Sequence, residues 1–191
     1  GPAYETRIFD LNDPDREVGN GTVGQIGGRG ACLMLGYFDN QKATQESFNA
    51  SGWFLSGDLG LVDANGNLNV EGRLKDLIIR GGRNIYPSHI EALTVRHPAV
   101  HKAAAFPIPD ERLGEKVCLS IIGDLNGQMM LEFLAAQGLS KYDMPEYFLQ
   151  LAEFPLTASG KVLKRELVEM FKRGDLKPDE IRYQSEEGSD R

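Results

Sequence analysis

Gly72-Arg73-Leu74-Lys75-Asp76-Leu77-Ile78-Ile79-Arg80-Gly81-Gly82-Arg83-Asn84-Ile85-Tyr86-Pro87 is the stretch on which the reading of this 191-residue chain depends. Within it, Leu77-Ile78-Ile79 is a short apolar run of strand type. It is closed by two glycines, which accept positive φ without a Cβ penalty. Pro87 suits the first position of a helix, where a missing N–H costs nothing, and Pro98 lies just past the expected helix end near residue 96. The style of the sequence changes across this stretch, so a domain boundary is placed at 72–75. Upstream, short strand-like pieces dominate, at 4–9, 24–26, 31–35, 53–55, 60–62 and 67–70. The last two flank Asn65-Gly66, a hairpin signal because both residues tolerate φ > 0. One upstream helix is expected, over 41–48. Downstream, strands are expected over 100–108, 116–122 and 147–151. Helices are expected over 127–137, capped by Asn126 and stopped by Gly138, and over 163–173. In the latter, Leu163, Leu167, Val168 and Phe171 form one apolar stripe. After Lys177 the chain turns polar and reads as a frayed tail.

Composition narrows the function classes. There are 21 Lys+Arg against 28 Asp+Glu, a formal net charge of −7. Bulk negative charge disfavours nucleic acid and acidic membrane surfaces as partners. Hydrophobic residues at 41% and charged residues at 26% are globular values. No apolar run approaches the ~18 residues of a membrane span, and the N-terminus lacks the pattern of a signal peptide. Cys32 and Cys118 lie in apolar surroundings far apart in sequence. They read as buried free thiols of a reducing compartment, the cytoplasm. Glycine stands out at 22 residues of 191.

Several local patterns carry little. Gly19-Asn20-Gly21-Thr22-Val23-Gly24 fits G-x-G-x-x-G but has no strand before it and no helix after it, so it reads as a turn. His97 and His101 stand four apart, yet Pro98 breaks the helix between them and no third ligand is near, so no metal site is expected. Asn49-Ala50-Ser51 has the form of a glycosylation acceptor without a secretory context. Three other patterns leave alternatives open. Pro155-Leu156-Thr157-Ala158-Ser159-Gly160-Lys161 is no phosphate loop, because Val162 stands where magnesium would need Ser or Thr. Lys161 is then either a surface lysine at a helix start or a flexible cation that reaches an anionic transition state. Arg73, Lys75, Arg80 and Arg83 form a cationic strip, suited either to phosphate or to a solvated strand edge. Asp58, in Ser56-Gly57-Asp58, belongs either to an ordinary Asx turn or to a carboxylate that accepts from two sugar hydroxyls.

Their order is more telling. Gly24-Gln25-Ile26, Leu35-Gly36-Tyr37, Gly52-Trp53-Phe54-Leu55-Ser56-Gly57-Asp58, the long run from Gly72 to Pro87, and Pro155 through Val162 together resemble the adenylate-forming enzyme superfamily. That group holds acyl-CoA synthetases, nonribosomal-peptide adenylation domains and luciferases. The resemblance covers about residues 3–173. It implies an α+β chain. Residues 1–74 would be the C-terminal β-subdomain of a large N-terminal AMP-binding domain, a distorted barrel. Residues 75–176 would be the mobile C-terminal domain, a short central sheet flanked by helices, with 177–191 as tail. The family's Pro-Lys-Gly phosphate loop and Tyr-Gly-x-Thr-Glu motif do not occur in this sequence.

The resemblance further implies a two-step reaction, in which a carboxylic acid and ATP give an acyl-adenylate and a thiol then displaces AMP. It assigns Asp58 and Arg73 to the ribose hydroxyls, Lys75 to the hinge and Lys161 to adenylation. Gly81 and Gly82 fall in the loop that approaches the CoA arm. The implied ligands are ATP/AMP, CoA and magnesium, with the magnesium ligands in the N-terminal domain. The implied partners are a carboxylic acid, a fatty acid foremost, and that N-terminal domain. The cationic strips at 73–83 and 161–165 would suit ATP and CoA phosphates. Gln25, Ser56 and His89 stand where the family commonly has Glu, Thr and an acid. The expected function is that of the C-terminal part of an AMP-forming acyl-CoA synthetase, inactive by itself. The alternatives are a ligase or adenylation domain that loads a carrier protein and, in another class, a non-catalytic interaction module.

Overall fold

A computed structural model describes residues 3–184. The chain divides into two compact units after Lys75.

The first unit is an antiparallel sheet of four strands in sequence order: β1 (Tyr4–Phe9), β2 (Gly24–Gly30), β3 (Phe54–Val62) and β4 (Leu68–Arg73). One short helix, α1 (Gln41–Glu46), lies between β2 and β3, capped by the Asn40 side chain on the Ala43 N–H. β2 is glycine-rich because β1 crowds it: a Cβ at Gly27 would strike the Phe9 ring. Ile8, Phe9, Trp53 and Leu59 are buried in this unit. The guanidinium groups of Arg7 and Arg29 lie over the Trp53 ring, at 4.9 and 4.5 Å from its centroid.

The expected distorted barrel is not present. The four strands form an open sheet in which β1 and β4 are both edges. Four strands are too few to wrap around a filled interior. The apolar piece at 31–35 also departs from expectation: it forms no strand, and Leu35 and Phe38 are fully exposed. Cys32, in the same loop, is exposed rather than buried, while Cys118 is buried and both thiols are free. Asn49 is no glycan acceptor. Its side chain is nearly buried, accepts from Trp53 N–H at 2.9 Å and donates to Pro14 O at 2.9 Å.

The second unit is α+β. A 3-10 turn, Leu74–Asp76, leads into β5 (Ile78–Arg80), β6 (Arg83–Ile85) and α2 (Pro87–Thr94), the last starting on Pro87 as its sequence requires. β7 (Val100–Asp110) and β8 (Gly114–Gly123) form a long hairpin. α3 (Gly127–Ala136) then crosses to β9 (Tyr147–Gln150), which pairs parallel to β8. Asn126 caps α3 at the Met129 N–H, and Gly138 follows its end at φ +86°. α4 (Lys164–Lys172) and β10 (Asp179–Glu180) complete the unit.

Alternation along the central strands sorts the core onto two faces. Val117, Leu119 and Ile121 of β8 and Ala105 of β7 face α2 and α3, against Ile90, Leu93, Met130, Leu131 and Leu134. Cys118 and, on β7, Ala104, Phe106 and Ile108 face α4, against Leu167. β8 is therefore buried on both sides, which is why it reads as a continuous apolar run. Pro107 and Pro109 sit in β7, which among the described residues pairs with β8 alone, leaving an edge that tolerates prolines.

The tail expected from Lys177 is ordered at first. β10 pairs antiparallel with β9, the Ile181 N–H donates to Glu146 O at 2.9 Å, and Ile181 and Tyr183 pack on the core. Residues 185–191 of that expected tail lie outside the described residues.

Candidate active site

In the first unit, Asp58 and Arg73 are brought together. They are register partners across β3 and β4, and Arg73 Nε donates to Asp58 Oδ1 at 2.8 Å. Two features shape the approach to Asp58. Gly57 adopts φ +76°, a region closed to most side chains. The Ser56 hydroxyl accepts the Asp58 N–H at 3.0 Å and donates to Ile26 O at 2.9 Å, which ties the turn to β2. The Asp58 side chain stays 35% exposed, so the carboxylate remains open to a ligand. Lys75, the last residue of this unit, is exposed within the 3-10 turn.

In the second unit, Gly81 and Gly82 are the two central residues of the β5–β6 hairpin, with Arg80 and Arg83 paired across it. Their φ values of +58° and +83° are those of a type I′ turn. Both glycines are exposed. Lys161 is placed by a separate element. Thr157 N–H donates to Lys161 O at 2.8 Å, and Lys161 N–H donates to the Thr157 hydroxyl at 3.0 Å. With Gly160 at φ +81° these bonds close a tight loop before α4. The loop is fastened at its base by the Leu156–Val162 bridge. Lys161 is exposed at this loop, and among the described residues no ion pair engages it.

The cationic strips are largely neutralised. Arg73 is held by Asp58, Arg80 by Glu146, and Arg83 by Asp143. Lys164 is bound at 2.7 Å by Glu91, which also accepts the Ala105 N–H at 2.7 Å. Lys75 and Lys161 are thus the strip cations left without an ion-pair partner among the described residues, together with Arg165. Local sequence could not have found Glu91, Asp143 and Glu146, because their partners lie 60 or more residues away or on another element. Among the described residues no group of three or more His, Cys, Asp or Glu side chains is disposed to hold a metal ion. His97 instead accepts the Ala99 N–H and stacks edge-on against Phe133.

Residues 89–161 match the family model of the AMP-binding enzyme C-terminal domain, and this segment belongs to that domain family. It is 33% identical over 167 residues to a medium-chain fatty-acid–CoA ligase of Escherichia coli, covering 85% of this chain and 30% of that protein. It is 38% identical over 171 residues to the mitochondrial medium-chain acyl-CoA ligase ACSF2 of Danio rerio, covering 88% of this chain and 28% of that one. ATP-bound MatB from Rhodopseudomonas palustris superposes with a TM-score of 0.81 at 31% identity, over 90% of this chain and 34% of that chain. The o-succinylbenzoate CoA synthetase MenE of Bacillus subtilis, bound to its acyl-adenylate, gives 0.82 at 30% identity, over 94% and 35%. The chain therefore spans about a third or less of the length of the relatives it matches. No helix among the described residues is long and apolar enough to cross a membrane.

Proposed function

We propose that the chain is the C-terminal part of an AMP-forming acyl-CoA synthetase that acts on a carboxylic acid of the fatty-acid class. In the first step a carboxylate oxygen attacks the α-phosphorus of ATP, and the bond to pyrophosphate breaks. In the second, the CoA thiolate attacks the acyl carbon, and AMP leaves. Magnesium would offset phosphate charge in the first step, held by residues of the N-terminal domain.

Each residue has a role suited to its chemistry. Asp58 would accept hydrogen bonds from the two ribose hydroxyls, with Arg73 as the second ribose contact. Lys161 would bridge the acid and the α-phosphate, where charge builds on the pentacoordinate phosphorus. Loss of such a group costs about 3–4 kcal/mol of transition-state stabilisation. Lys75 would be the hinge between the two steps, and the Gly81–Gly82 turn would approach the CoA arm. The names of the relatives support the acid class and the CoA acceptor. Two of them are medium-chain acyl-CoA ligases.

The observation that carries this reading is Lys161: exposed, unpaired by any ion pair among the described residues, and set on a closed loop at the end of the family match. In the full-length protein, Lys161→Ala should abolish pyrophosphate exchange yet leave thioester formation from preformed acyl-adenylate intact. Normal pyrophosphate exchange in that variant would falsify the reading. The 191 residues alone should release no AMP from ATP. A phosphopantetheinyl carrier offered in place of CoA, across a panel of acids, decides acceptor and substrate together.

A further inference from the structure

The Gly81–Gly82 turn is held from three sides within its own unit. Arg80 is the first hold: its guanidinium donates to the carbonyls of Tyr142 and Met144 and to the Glu146 carboxylate. Its side chain is only 13% exposed. Glu146 is fixed in turn, because its other oxygen accepts the Val117 N–H of β8 at 2.9 Å. Arg83 is the second hold. It grips Asp143 with two hydrogen bonds, Nε to Oδ1 at 2.6 Å and Nη2 to Oδ2 at 3.1 Å, and lies 5.6 Å from the centre of the Tyr142 ring. The third hold is backbone: Gly81 N–H donates to Leu113 O at 2.8 Å. Leu113 belongs to a turn that Asp110 closes by accepting its N–H at 2.8 Å, and Lys116 fixes Asp110 at 2.7 Å.

A two-residue type I′ turn of glycines closes without such help. Glycine also has the most conformational freedom to lose, so an unsupported Gly-Gly turn wanders. A planar guanidinium with a bidentate carboxylate fixes direction as well as distance. All three holds lie in the second unit, so they travel with the turn wherever that unit moves.

We propose that Arg80 and Arg83, with Asp143 and Glu146, are positioning residues that hold the Gly81–Gly82 turn in the shape needed for thioester formation, and that adenylation does not need them. The proposal rests on the reading of the turn given above. It differs from a purely structural role in one respect: the two half-reactions separate.

The test uses the full-length protein with three variants, Asp143→Asn, Arg83→Lys and Arg80→Met. Pyrophosphate exchange reports adenylation, and a single-turnover rate from preformed acyl-adenylate to CoA reports the second step. Amide hydrogen exchange over residues 80–83 reports turn order. Asp143→Asn should lower the thioester rate by about tenfold or more, the scale expected from small misplacement of a reacting group. It should leave pyrophosphate exchange within about twofold and speed amide exchange at Gly82 and Arg83. Arg83→Lys should recover part of the lost rate, because one charge-assisted bond survives. Arg80→Met is the severe case. If it does not fold, Asp143→Asn still decides the outcome, on a pair that is partly open to solvent. Equal loss in both half-reactions, or an unchanged thioester rate in Asp143→Asn, overturns the positioning role. A wild-type protein that adenylates but forms no thioester with CoA or a carrier overturns the reading of the turn instead.

Discussion

Asp58 and Arg73 face each other directly across β3 and β4, and the arginine's Nε reaches the carboxylate at 2.8 Å. The two side chains are 35% and 53% exposed, so the pair contributes about 0–1 kcal/mol to stability. Its removal should therefore separate binding from folding. Asp58→Ala in the full-length protein should raise KM for ATP about tenfold or more, since charge-assisted hydrogen bonds contribute ~1.5–3 kcal/mol each. The melting temperature should hardly move. An unchanged KM would take Asp58 out of the nucleotide site.

Gly160 offers a way to disturb Lys161 without removing its charge. A Cβ at Gly160 meets no atom within 4 Å, but φ there is +81°. Gly160→Ala should thus cost ~1–2 kcal/mol of backbone strain, relieved by a change in the loop. Pyrophosphate exchange should fall by about tenfold or more as Lys161 loses its geometry. Full exchange activity would show that Lys161 tolerates a moved loop.

Glu91 should give the second unit an unusual pH response. Burial is the largest influence on it and raises its pKa above the ordinary 4.5, while Lys164 and the Ala105 N–H pull the other way. The folded protein therefore holds this proton more tightly than the unfolded chain does. The contribution is fully present below about 4.5 and is lost as pH rises through the folded value. Asp110 behaves oppositely: the Lys116 ammonium, then the Leu113 N–H, lower its pKa, and its contribution is lost in acid. Calorimetry of wild type and Glu91→Gln between about pH 4 and pH 7 isolates the first effect. Wild type should lose stability relative to the variant as pH rises. A constant difference across that range would refute it.

The two thiols should react very differently. Cys32 is exposed and Cys118 is buried. Burial pushes the Cys118 thiol far above its ordinary value, so almost no thiolate forms there. A thiol reagent at neutral pH should label Cys32 promptly and Cys118 only after denaturant is added. Labelling of both at similar rates would contradict the packing of β8 against α4.

Much of the fold was legible because local chemistry and tertiary role agree. Pro87 starts α2, Asn126 caps α3, and Gly81-Gly82 turns β5 into β6. At each of these the residue that the backbone needs is the residue present. Burial at 31–35 was not legible. An apolar run reads as buried only if a partner surface covers it, and the described residues leave Leu35 and Phe38 uncovered. The site divides in the same way. Motif order is what singles out Asp58, Arg73 and Lys161 as candidates, and the structure pairs the first two across β3 and β4. No motif marks the grip of Asp143 and Glu146 on the glycine turn, because a carboxylate 60 residues from its arginine leaves no local trace.

The shortest strand has a practical consequence. β10 occupies the outer edge of β9, and Ile181 fills the space above Gly127, against Phe148. A protein trimmed after Lys177 would lose residues that look dispensable on paper. It would also uncover a row of unsatisfied backbone groups beside an apolar dent. Such an edge invites a second copy to complete it, so the trimmed form should self-associate where the longer one stays dispersed.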